Sequence, residues 1–164
     1  MDDNNNITPE TDKNPPENMA NIVNAAKQAI LAYAAAVSKG SNPSIPVSDV
    51  AASMAELYLP NFTSFTLGSI TVFATRPDAQ AAIERLLCSY NTSGIGADIR
   101  KYDSRVEPVS ASSAICWITW EIFPNPGTTD GKGAVEPWKF TDVYGFRLTQ
   151  NNSSVNKGLQ CQGG

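Results

Sequence analysis

Residues 138–150 read WKFTDVYGFRLTQ, and the alternation within this stretch decides the fold. In an extended chain Trp138, Phe140, Asp142, Tyr144, Phe146 and Leu148 share one face, while Lys139, Thr141, Val143, Gly145, Arg147 and Thr149 share the other. The first set is aromatic or aliphatic except for Asp142, so it predicts an inner face with one carboxylate embedded in it. The preceding stretch, Ser112–Phe123, repeats the period of two, with Ala114, Cys116, Ile118, Trp120 and Ile122 opposite Ile115, Trp117, Thr119, Glu121 and Phe123. Both of its faces are apolar enough to predict a strand covered on both sides. A third run, Ala97–Val109, completes a set of long adjacent strands.

Upstream the period lengthens. Val23, Ala26, Ile30, Tyr33 and Val37 recur at steps of three and four, a helical stripe that starts after an N-cap at Asn18 or Asn21 and stops at Gly40. Pro43 and Pro46 interrupt the chain. Ser48 is expected to cap a second helix carrying Val50, Met54, Leu57 and Tyr58, ended by Pro60. Phe62–Leu67 and Ser69–Phe73 then read as a hairpin pivoting at Gly68. Thr75-Arg-Pro-Asp has the form of a capping box and opens a third helix whose face carries Ala79, Ile83, Leu86, Leu87 and Tyr90. Helices followed by a run of neighbouring strands predict an α+β architecture, a curved antiparallel sheet wrapped around the helices.

The 164 residues suit one domain. Of the net charge of −4, all resides in residues 1–18, where Asp2, Asp3, Glu10, Asp12 and Glu17 face Lys13 alone; the remainder balances 11 acids with 11 bases. That polar, proline-bearing segment predicts a disordered acidic tail, with the folded domain spanning 19–164. A balanced body offers no field for a polyanion, so no nucleic-acid partner is expected. The chain contains no histidine, which removes Ser-His and Cys-His nucleophile pairs and histidine-ligated metal sites. No glycine-rich phosphate loop occurs, and no cofactor is called for. Cys88, Cys116 and Cys161 are odd in number and far apart, which fits reduced thiols and a cytoplasmic address. The longest apolar run, Ala25–Val37, is broken by Lys27 and Gln28 and is too short to span a bilayer, so no membrane partner is expected.

Taken in order, the helix ending AYAAAVSKG, the segment Leu57–Phe62 entering the hairpin, the Pro77 helix and the strand WKFTDVYGFRL resemble the NTF2-like (SnoaL-like) superfamily over about residues 20–164, with a likeness to its fungal members. The resemblance implies a cone-shaped sheet around a pocket for a small hydrophobic molecule, and a homodimer. Because such domains close with another long strand after a turn, a chain reaching only Gly164 is expected to be C-terminally incomplete, leaving the 138–150 strand with an open edge.

The same resemblance implies candidate roles. In the steroid-isomerase branch a protonated acid on this strand and a tyrosine on the first helix polarise a carbonyl; here Asp142, or its neighbour Tyr144, and Tyr33 hold those positions. Tyr58, Phe62, Trp138, Phe140 and Phe146 would line the ligand. The branch's hairpin carboxylate is absent, since Phe65-Thr-Leu-Gly stands in its place, and Thr66 cannot take a carbon-bound proton near neutral pH. A desolvated Asp142 is expected to hold its proton above the usual carboxylate range. The structural alternative makes Asp142 a hydrogen-bonded buried acid and Tyr33 a core residue. Residues Asp98–Arg105 read as a solvated edge strand with cross-strand ion pairs, with an Asp-Arg-Asp epoxide hydrolase cluster as the sharper alternative. Two functions therefore stand: an isomerase, cyclase or dehydratase of a small hydrophobic molecule, and a non-catalytic binding or dimerisation module.

Overall fold

Helix α1 runs Pro15–Ser38 and buries Ile22, Ala26, Ile30, Tyr33 and Val37, the stripe read from its spacing with Ile22 added in place of the half-buried Val23. The computed structural model describes residues 15–66, 69–124, 136–151 and 154–161. The helix begins earlier than expected: Pro15 and Pro16 sit in its first turn, where a missing N–H costs nothing, and Glu17 favours the positive helix end. Residues 15–18 are thus helical, while the tail expectation for 1–14, the hairpin turn at 67–68 and the 125–135 loop lie outside the described residues.

Gly40 ends α1 for a reason that spacing does not supply. It lies in a short 3-10 turn, Lys39–Ser41, and a Cβ there would come within 2.5 Å of the Ala97 carbonyl oxygen. The glycine admits a close backbone approach at the foot of the sheet. Helix α2 is Val47–Ala55, after Pro46, with no side-chain cap; neither Ser48 as cap nor Pro60 as terminator holds. Leu57 and Tyr58 follow in a turn held by Leu57 N–H to Met54 O and Tyr58 N–H to Ala55 O, each 3.1 Å. Helix α3, Arg76–Thr92, opens on the expected capping box, with Thr75 Oγ1 accepting from the Asp78 N–H and the Asp78 carboxylate accepting from the Thr75 N–H. Of its expected face, Ala79 and Leu87 are buried and Leu86 is exposed.

The strands form a hairpin, β1 (Phe62–Thr66) with β2 (Ser69–Phe73), and an antiparallel sheet ordered β3 (Asp98–Ser110), β4 (Ser113–Phe123), β5 (Trp138–Asn151), β6 (Ser154–Cys161). Ile118 pairs with Asp142 and Trp120 with Phe140, so the inner residues of β4 and β5 stand side by side. On β4 only the even-numbered face is fully covered; the odd-numbered face is half-buried, which corrects the two-sided burial expected.

Strand β6 covers part of the β5 edge that was expected to stand open. Its residues pair with Tyr144–Asn151, from Tyr144 against Cys161 to Asn151 against Ser154. SVNKGLQC has one β-branched residue, a lysine and a glycine, so its own pattern does not announce a strand. The unpaired edge of β5 supplies the partner that propensity does not. Along Trp138–Val143 no strand among the described residues pairs with β5 on the side away from β4.

Candidate functional site

Exposure falls in steps along the inner face of β5. Trp138 is 44% exposed, Phe140 and Asp142 are half-buried, and Tyr144 and Phe146 are buried, Phe146 at 1%. The open end therefore lies at the start of β5, with Trp138 at its rim, its ring centroid 5.6 Å from that of Phe140. Asp142 occupies the step between open and closed. Trp138 is consequently a rim residue, and Asp142 is not enclosed by it as alternation alone predicts.

Two side chains donate to the Asp142 carboxyl. The Tyr144 hydroxyl reaches Oδ2 at 3.0 Å, and the Trp120 indole N–H bonds it from the neighbouring strand. Burial pushes the Asp142 pKa above the usual carboxylate range, and these two bonds pull it partly back. The Tyr90 hydroxyl of α3 is also raised, first by burial and then by the Asp142 charge.

Behind the acid lies an aromatic cluster. Tyr33 packs edge-on against Trp120 and Tyr144, at ring-centroid distances of 5.7 and 5.5 Å, and its hydroxyl meets that of Tyr58 at 2.5 Å. Tyr58 stacks on Phe62, and Phe62 on Phe73. Tyr33, Tyr58, Tyr144 and Asp142 thus form one connected group of side chains, with the Tyr33 hydroxyl turned to Tyr58 and that of Tyr144 to Asp142, whereas Phe146 is buried in the core. Spacing places Trp120 on an apolar face but does not select it for the site. A tryptophan on the strand beside an inner-face acid is the signal that could have done so.

Chemically the arrangement holds one carboxyl group with donors on it and aromatic walls. Among the described residues no group of His, Cys, Asp and Glu is placed to hold a metal. The Cys116 thiol is buried in the core, which pushes it up to about 11 and leaves it inert. The Asp98–Arg105 run lies on the edge strand: Arg100 binds Asp98 at 2.6 Å within its own strand, and Arg105 lies over Trp117 on the outer face, ring centroid 3.9 Å away. The ion-pair contacts of Arg100 and Arg105 run along the strand, to Asp98 and Glu107, while Glu121 stands across from Arg100 in register. No epoxide hydrolase cluster forms at the inner site among the described residues.

No family model and no curated protein matches the sequence. Solved structures do. An NTF2-like protein of unknown function from Shewanella oneidensis superposes with a TM-score of 0.50 at 9% identity, covering 85% of this chain and 93% of that one. The chain has the NTF2-like fold. An NTF2-like protein from Anabaena variabilis gives a TM-score of 0.49 at 11% identity, covering 94% and 96%. Asp142 lies on the sheet face that packs on α1, where its partner Tyr144 meets Tyr33. No described helix is long and apolar enough to cross a membrane.

Proposed function

We propose that this domain binds a small, mainly apolar molecule at the open end of β5, its polar end directed at Asp142. The observation that carries this reading is a half-buried carboxyl group, held by Tyr144 and Trp120, at the point where the inner face changes from exposed to closed. Apolar walls with a few placed polar groups are the ordinary make-up of such sites. Native mass spectrometry of the full chain against a hydrophobic metabolite extract tests it. A retained compound whose adduct is lost in Asp142→Asn is expected; a chain that retains nothing overturns the reading.

A catalytic version, isomerisation, cyclisation or dehydration with Asp142 as acid–base and Tyr33 and Tyr144 as donors, draws support from the elevated pKa of Asp142. The non-catalytic version draws support from the hairpin sequence, where Phe65-Thr-Leu-Gly offers no carboxylate base. Product analysis of any retained compound separates the two. Homodimerisation in the cytoplasm belongs to the same proposal; the half-buried outer residues Ile115, Trp117 and Val143 favour it, and sedimentation equilibrium tests it.

A further inference from the structure

Asp142 is partly withdrawn from water, and the described residues give it no positive partner. Lys139 and Arg147 lie on the opposite face of β5, where Lys139 sits 3.3 Å from the Tyr102 ring centroid and 3.8 Å from Glu121. Lys101, paired in register with Trp120 and so on the inner face of β3, stands two strands away from β5. The carboxyl's hydrogen-bond partners are Tyr144 and Trp120, both donating. An ionised carboxylate accepts at about four lone-pair positions, so these two donors leave it with spare acceptor capacity.

Seating a neutral apolar ligand there would strip the remaining water from the carboxylate and return nothing. A ligand cation would return a charge-assisted hydrogen bond or ion pair, and the rings of Trp138 and Phe140 toward the start of β5 supply surroundings that favour organic cations. Resting on the small-molecule reading above, we infer that the ligand is an organic cation, a protonated amine or quaternary ammonium on an apolar body, with its nitrogen against Asp142.

The test compares benzyltrimethylammonium with its neutral carbon isostere, neopentylbenzene, titrated into the full chain at neutral pH and followed by Trp120 indole and backbone NMR shifts. Wild type is expected to bind the cation at least tenfold more tightly. Asp142→Asn is expected to erase that preference, and Glu121→Gln, which removes a charge from the outer face, to keep it. Should Asp142→Asn fail to fold, carboxyl-detected NMR of the wild type decides the same question: the cation, not the isostere, must shift the Asp142 carboxyl resonance. Equal or tighter binding of neopentylbenzene, or a preference that survives Asp142→Asn, overturns the cation inference while leaving the small-molecule reading standing. If neither compound binds, the inference falls and the small-molecule reading is left to the extract experiment, which decides it separately.

Discussion

The two faces of β4 differ by a single residue step and live in different media. Ala114, Cys116, Ile118, Trp120 and Ile122 are each at most 2% exposed; Ile115, Trp117, Thr119 and Glu121, one position over, are half-buried. The inner face is held by packing against α1 and the aromatic cluster. The outer face is furnished with contacts that tolerate water: Arg105 over Trp117, the Thr119 and Thr141 hydroxyls 2.9 Å apart, and Lys139 3.8 Å from Glu121. Both faces carry a tryptophan, so composition does not distinguish them. What separates them is which side the helices cover.

The tryptophans give the sharpest way to break this comparison. Trp120→Ala removes a 2%-exposed ring that packs on Tyr33 and bonds Asp142, and is expected to lower stability by about 3–5 kcal/mol. Trp117→Ala loses a half-buried ring and one cation–π contact, and about 1–2 kcal/mol is expected. Urea midpoints that coincide for the two variants would show the faces to be equivalent. Tyr33→Phe deletes one hydroxyl of the buried Tyr33–Tyr58 pair, with an expected loss of about 1–2 kcal/mol; an unchanged midpoint would make the pair incidental.

Asp142 sharpens the contrast through pH. Its folded-state pKa stands above the unfolded value because burial disfavours the charge. A raised carboxyl contributes fully below the unfolded value, near 4, and loses that contribution as pH rises through the folded value. Asp142→Asn, which has no proton to lose, is therefore expected to gain on wild type in urea titrations as pH rises from about 4 to neutrality. Wild type gaining on the variant over that range would mean that hydrogen bonding outweighs burial. The smallest effect belongs to the outer face: Glu121→Gln breaks a pair whose lysine is 42% exposed, and a change of about 0.5 kcal/mol or less is expected by thermal melting.

Much of this is legible without coordinates. The period of two in Ser112–Phe123 and Trp138–Gln150 sets the inner faces in the correct phase, and Thr75-Arg-Pro-Asp marks the start of α3 to the residue. Where reading fails, a distant contact overrules a local signal. Leu86 matches the helical stripe but stays exposed; Tyr58 matches the spacing of α2 and instead leaves that helix to reach Tyr33.

The sequence by itself determined the α+β order, the α1 stripe, the two-faced strands and the placing of one acid among aromatic residues, because each follows from backbone periodicity over a few residues. Only the tertiary structure decided the rest. It made a strand of Ser154–Cys161, since an open edge on β5 recruits a segment of weak propensity. It gave Gly40 its purpose, the approach of the Ala97 carbonyl from a segment far along the chain. It set Trp120 on Asp142 and placed the acid between the exposed Trp138 and the buried Tyr144. Pairing, close approach and burial arise between segments remote in sequence, and no local pattern records them.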